Sequence, residues 1–192
     1  MSYSQRIIRA LEMAHELHAR QRRKGSGTPY LNHLLSVAAL VGEYGGDEDQ
    51  FIAALLHDAV EDQGGRPTLE RIRDCFGDNV ANLVWECSDS DSEPKPPWQA
   101  RKDNHIAHVM TSKPALRLII AADKLHNAQS IRRDLRQHGA EVWNRFKGGR
   151  EGMVWYLNAM LDALRNDWEH PILDELESVL HDLTTCPVSS TR

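Results

Sequence analysis

The segment Ala53–Asp62 reads Ala-Ala-Leu-Leu-His-Asp-Ala-Val-Glu-Asp and sets His57, Asp58, Glu61 and Asp62 into an otherwise apolar helix. Burying a carboxylate without a partner is very costly, so this segment calls for a cation, a hydrogen-bonded network or water. On a helix His57 lies beside Glu61, and Asp58 beside Asp62, each pair four residues apart. A plainer arrangement is also open, with Glu61 and Asp62 facing solvent near a helix end. A second apolar stretch, Ile119–Asn127, repeats the pattern with Asp123 and puts the Asn127 amide on the same face. There an ordinary ion pair of Asp123 with Lys124 or Arg132 would also answer the burial. The third piece is His33, in Gly27-Thr28-Pro29-Tyr30-Leu31-Asn32-His33. Two imidazoles and two carboxylates suit a borderline divalent metal such as Mn, Fe or Zn and not a calcium cage. Such an ion acidifies a water that it holds, which makes hydroxide available near neutral pH.

The elements that must carry these residues are helices. No stretch alternates apolar and polar residues long enough for a strand, and the pattern predicts one all-α domain of about eight to ten helices. It is expected over residues 1–185, with 186–192 as a C-terminal tail. Ile7, Ile8, Leu11, Ala14 and Leu17 form a first apolar stripe that fades into basic Arg20–Lys24. Thr28 as N-cap and Pro29 at the first helical position predict a helix running to Gly45-Gly46. Asp47 caps the next helix, expected to continue through the His-Asp pair to Gly64-Gly65. Thr68 then caps a short helix ending near Gly77, and Ser88–Pro97 is an acidic, Ser- and Pro-rich loop. Further helices are expected at roughly 98–110, 114–138, 150–167 and 171–184.

Composition narrows the function classes. The 192 residues carry 23 Lys+Arg against 28 Asp+Glu, a net charge of −5, which disfavours a protein that coats nucleic acid. The longest apolar run, Phe51–Leu56, falls far short of the ~20 residues of a membrane span, and the charged N-terminus is no secretory signal. Three cysteines (Cys75, Cys87 and Cys186) with no Cys-x-x-Cys spacing fit a reducing cytoplasm. Of the ten histidines, only His33 and His57 are matched with carboxylates; His126 is left to the surroundings of Asp123 or to the surface.

Several spaced motifs over about residues 5 to 165 resemble one family. They are Arg23-Lys24-x-x-Gly27-x-Pro29-Tyr30-x-Asn32-His33, Leu55-Leu56-His57-Asp58-x-x-Glu61-Asp62, Phe76-Gly77 and Ala122-Asp123-Lys124-Leu125-x-Asn127. A His, a His-Asp pair and a distant Asp resemble the HD superfamily of metal-dependent phosphohydrolases. Within it the chain is similar to the RelA/SpoT hydrolase domain and to the stand-alone small alarmone hydrolases. The resemblance implies an HD-domain helical fold and an enzyme that removes the 3′-pyrophosphate of guanosine or adenosine alarmones such as ppGpp. It implies one divalent metal, commonly Mn²⁺, with Fe, Zn, Co or Ni as substitutes in a purified sample. By position, His33, His57, Asp58 and Asp123 match the metal ligands, and Glu61 and Asp62 the acidic pair of water activation or proton transfer. Arg23, Lys24 and Asn127 match substrate-contacting residues.

The expected partner is therefore a small nucleotide, with no membrane and no nucleic acid polymer; a homo-oligomer is compatible with this. A polyanionic substrate needs a locally basic mouth on an acidic protein. Arg22, Lys95, Arg101, Lys102, Lys147 and Arg150 are candidates beside Arg23 and Lys24, and Trp155 or Tyr156 could stack on a base. The substrate residues selected are Arg23, Lys24, Asn127, Lys102, Arg150 and Tyr156. Gln129 stands where the family commonly has arginine, which predicts one missing phosphate or base contact. That difference keeps open a phosphatase for another nucleotide, such as NADPH or a nucleoside phosphate. A nucleotide-sensing module without turnover is the third reading, and the retained Glu61-Asp62 pair counts against it.

Overall fold

The computed structural model describes residues 4–88 and 96–185. The helices are α1 (Gln5–His18), α2 (Leu31–Glu43), α3 (Glu48–Leu56), α4 (Ala59–Asp62), α5 (Arg66–Phe76), α6 (Asp78–Cys87), α7 (Trp98–Met110), α8 (Pro114–His138), α9 (Gly149–Arg165) and α10 (Pro171–Thr185). A 3₁₀ turn, Gly139–Arg145, joins α8 to α9. Among the described residues there is no strand, only an isolated β-bridge between Arg22 and Pro29. The all-α expectation holds. The 186–192 tail and Lys95 lie outside the described residues.

Helix α8 is the axis of the molecule. Pro114 opens it, where a missing N–H costs nothing, and Gly139 at φ 64° closes it. Its 25 residues span about 37 Å. Leu116, Ile119, Ile120, Ala121, Ala122, Leu125, Ala128 and Ile131 are buried along it. The helix packs against α2, α3, α6, α9 and α10. Around this axis α1 packs on α3, α5 on α6, and α7 on α9. Buried Arg117 of α8 donates to the carbonyls of Met110 and Asn166, so one guanidinium satisfies acceptors at the ends of both α7 and α9. Trp98 of α7 rests on the bare backbone of Gly148 and Gly152, where an added Cβ would come within 2.8 Å and 3.1 Å of the indole.

The elements next to the His-Asp pair differ from the sequence expectation. Helix α2 begins at Leu31, not at Thr28-Pro29, because residues 21–30 close a loop of their own. In that loop Arg23 N donates to Thr28 O (2.9 Å) and Tyr30 N to Gln21 O (3.0 Å). Asp47 does cap α3, in a reciprocal capping box with Gln50. The helix expected to run on to Gly64 instead stops at Leu56 and resumes at Ala59. His57 accounts for the break: its Nδ1 donates to the Ala54 carbonyl at 2.8 Å, ending α3 with a side chain. Thr68 lies inside α5 rather than capping it; its hydroxyl donates to the Gln63 carbonyl, and Gly65 at φ 62° is the N-cap.

Candidate metal centre

His33 comes from the first turn of α2, His57 and Asp58 from the joint between α3 and α4, and Asp123 from the middle of α8. His33 Nε2 is 3.2 Å from Asp123 Oδ1 and 3.6 Å from Asp58 Oδ2. His57 Nε2 is 3.0 Å from Asp58 Oδ2 and 3.8 Å from Asp123 Oδ1. One ligand atom each from His33, His57 and Asp58 falls within 4.8 Å of the others, and Asp123 adjoins them.

The donor chemistry fits a cation at this point. Because His57 Nδ1 carries its proton toward Ala54, Nε2 presents a lone pair, and it is buried without a hydrogen bond. A lone pair aimed at carboxylate oxygens is repulsive unless a positive charge lies between them. Burial alone would lower the pKa of His57, yet Asp58 and Asp123 outweigh it and raise it well above the usual imidazole value. The centre thus demands a positive charge, and a mixed nitrogen and oxygen donor set suits a divalent transition metal.

Of the residues holding these donors, Lys124 and Asn127 stand out in the sequence beside Asp123, whereas nothing there marks Tyr30 and His126 for this role. Lys124 Nζ donates to Asp123 Oδ2 at 2.7 Å, and Asn127 Nδ2 to Asp123 Oδ1 at 2.6 Å. Burial opposes ionising Asp123, but Lys124 and the two imidazoles hold its carboxyl well below the usual carboxylate range. Tyr30 donates its hydroxyl to Asp58 Oδ2 at 2.6 Å; burial and Asp58 raise its pKa, so it stays a donor. His126, left unassigned above, has Nδ1 at 2.7 Å from His33 Nδ1. Burial, followed by His33 and Arg23, pushes its pKa down to about 3, so it is neutral and can accept the His33 proton. That bond leaves His33 Nε2 turned to the centre, the usual way an imidazole ligand is aimed. His126→Ala is expected to weaken Mn²⁺ binding by about ten- to a hundredfold in isothermal titration, while His126→Gln, with an acceptor oxygen, retains most of it. Unchanged affinity in the alanine variant would remove this role.

Two adjoining cavities, about 890 Å³ and 510 Å³, meet at the centre, and both are lined by Arg23, Lys24, Glu61, Asp62 and Asn127. Glu61 is half-buried and Asp62 exposed, both on α4. Arg23 Nη2 donates to Asn127 Oδ1 at 2.8 Å, so Asn127 bridges Arg23 and Asp123. The smaller cavity adds Arg101, Lys102, Lys124 and Lys147, the basic wall an acidic protein needs for a polyanion.

Tyr156 lines that cavity but is only 4% exposed, with its hydroxyl 3.1 Å from His105 Nδ1. The ammonium groups of Lys102 and Lys124 lie 4.6 Å and 5.6 Å from its ring centroid, so the ring is a platform for cations and not for a base. Trp155 is exposed and lines neither cavity.

Of the selected set, Arg150 stands outside both linings and donates to the Thr184 carbonyl at 3.3 Å. Arg145 lines both cavities instead, paired with Asp134 at 2.6 Å. It crosses the 21–30 loop so closely that a Cβ on Gly25 would meet its side chain at 2.3 Å. Gln129 lines neither cavity.

Among the described residues, no helix is long and apolar enough to cross a membrane. The family profile described as "HD domain" matches residues 10–154. The Xenopus tropicalis protein named guanosine-3′,5′-bis(diphosphate) 3′-pyrophosphohydrolase MESH1 is 39% identical over 141 residues, covering 72% of this chain and 74% of that one. The human MESH1 protein is 36% identical over 146 residues, 74% and 76% of the two chains. A solved structure described as "A metazoan ortholog of SpoT hydrolyzes ppGpp and plays a role in starvation responses" superposes with a TM-score of 0.76 at 29% identity, over 95% of this chain and 97% of the other. With the profile spanning most of its length and these relatives matched across their own, the chain belongs to the HD-domain hydrolases, in the group of MESH1 and SpoT-like proteins.

Proposed function

We propose that the protein hydrolyses the 3′-pyrophosphate of guanosine, or adenosine, 3′,5′-bis(diphosphates) with a divalent metal held by His33, His57, Asp58 and Asp123. The observation that carries this reading is the cluster of His33, His57 and Asp58 at the foot of a nucleotide-sized, cation-walled cavity. The relatives named as 3′-pyrophosphohydrolases support the choice of substrate.

When bound, the metal supplies Lewis-acid polarisation of a phosphoryl oxygen and a water acidified toward neutrality. Arg23, Lys24, Lys102 and Lys124 hold the diphosphate through charge-assisted hydrogen bonds. Asn127, fixed between Asp123 and Arg23, keeps that guanidinium at the cavity wall. Pyrophosphate release forms a bond from the water oxygen to the phosphorus next to the ribose and breaks the bond from that phosphorus to the 3′ oxygen. The water proton passes to a carboxylate oxygen of Glu61 or Asp62, and the departing 3′ oxygen takes a proton from solvent, to which the carboxylate returns its own.

The finer reading takes the metal as manganese, which the family resemblance implies and with which a histidine and carboxylate donor set without thiolate is compatible. It places the protein in the cytoplasm, consistent with free Cys75 and Cys87. Purified protein with Mn²⁺ and ppGpp is expected to release one pyrophosphate per nucleotide. Inorganic phosphate as the product, from NADPH or another nucleotide in a substrate panel, would replace this substrate. Nucleotide bound tightly and recovered unchanged would replace the reaction with sensing.

A further inference from the structure

Behind the acidic pair lies a hydrogen-bonded cluster in the loop that joins α1 to α2. Gln21 Nε2 donates to Asp62 Oδ2 at 2.7 Å. Gln21 Oε1 is met from the other side by Gln63 Nε2 at 2.6 Å and by His18 Nδ1 at 2.6 Å. Two donors on the oxygen fix the orientation of the amide, so its NH₂ must face Asp62. The main chain is equally tied: Gln21 N donates to His18 O at 3.0 Å, and Tyr30 N to Gln21 O at 3.0 Å. His18 is 2% exposed and stacks on Tyr30, with centroids 5.4 Å apart and planes 18° apart. Tyr30 in turn donates to Asp58 Oδ2. One cluster therefore aims two carboxylates of different purpose, Asp58 through Tyr30 and Asp62 through Gln21.

An aspartate exposed at a cavity rim would otherwise sample several rotamers, and ordering it costs entropy on each turnover. A carboxylate that accepts from an amide whose own oxygen is held by two donors pays part of that cost on folding. We propose that Gln21 is a positioning residue for Asp62, orienting that carboxylate for its part in taking the proton of the attacking water. This rests on the reading of the site as a phosphohydrolase. Gln21 touches no reacting atom; it acts through the orientation of Asp62.

The test is a double-mutant cycle on the full chain with Mn²⁺ and ppGpp, reading kcat, KM, metal content and melting temperature for Gln21→Ala, Gln21→Glu, Asp62→Ala and Gln21→Ala with Asp62→Ala. A misplaced base costs rate and not affinity, so Gln21→Ala is expected to lower kcat by about ten- to a hundredfold, with KM within about twofold and metal content unchanged. Gln21→Glu keeps the shape of the side chain but turns an oxygen toward Asp62, and is expected to be at least as slow. In the absence of Asp62 the second substitution is expected to change nothing further, since coupled residues are not additive. Equal kcat in Gln21→Ala and wild type, or losses that multiply in the double variant, would overturn the positioning role. Loss of metal in Gln21→Ala would overturn it too, by making the residue part of the metal site. Full activity in Asp62→Ala would overturn the proposal by removing Asp62 from the chemistry, whereas no hydrolysis by the wild type would overturn the underlying reading, so the two failures are told apart.

Discussion

His57→Ala is expected to fold, to lose stoichiometric Mn²⁺ and to lose at least about a thousandfold in pyrophosphate release. His57 sits where three requirements meet. Its Nδ1 bond to Ala54 ends α3, its Nε2 is the buried lone pair of the centre, and Asp58 follows it directly. Removing the ring leaves His33 and two carboxylates, a set that holds a divalent ion far more weakly. The measurement that isolates this from misfolding is thermal. A bound metal stabilises the native state by mass action, so adding Mn²⁺ raises the melting temperature of the wild type and leaves that of the variant unmoved. His57→Gln, closer in volume, serves as the control for the space vacated. A His57→Ala protein that keeps one Mn²⁺ per chain and turns over normally would remove His57 from the centre.

Lys124→Met is expected to be the most destabilising single change at the site when metal is withheld. The ammonium and the Asp123 carboxylate have side chains only 11% and 12% exposed and lie 2.7 Å apart. Burial would lower the pKa of Lys124, but Asp123 outweighs it and raises it, and the Tyr156 ring adds to the attraction. Deleting one member of a buried pair strands the other, which costs about 3–5 kcal/mol. For a chain of this size that is a fall of roughly 10 °C in melting temperature. Mn²⁺ is expected to restore part of the loss, because a cation on the ligand side of Asp123 takes over some of the compensation. Lys124→Met combined with Asp123→Asn removes both charges and is expected to be more stable than Lys124→Met alone without metal. Calorimetry with and without Mn²⁺ checks all three, and a metal-free Lys124→Met protein as stable as wild type would refute the argument.

The helices and the four central residues were legible in the sequence for different reasons. Helices α7, α8 and α10 follow from local signals: proline at the starts of α8 and α10, glycine after α8, and apolar residues at helical spacing between. His33, His57, Asp58 and Asp123 stood out because polar types interrupt apolar helices, where burial demands an explanation. What was not legible depends on contacts between distant segments. Nothing in the local pattern of α8 marks His126, but α2 brings His33 to meet it from 93 residues away. Tyr30 reaches Asp58, and Gln21 reaches Asp62, through a loop whose closure no periodicity announces. Arg150 and Arg145 are equally basic on paper; the 3₁₀ turn ahead of α9 puts one on the cavity wall and sends the other toward α10. The break at His57-Asp58 is invisible to propensity because a side chain, not a glycine or proline, makes it.

The seat of Trp98 on Gly148 and Gly152 ties α7 to the start of α9. The metal donors belong to α2, the α3–α4 joint and α8, whereas Lys102 stands on α7, one turn beyond the indole, and reaches Tyr156 of α9. A methyl group at Gly152 would meet the indole at 3.1 Å, so the ring must give by a few tenths of an ångström on the helix that carries Lys102. The bare backbone of two glycines therefore bears on where the Lys102 side of the cavity wall stands.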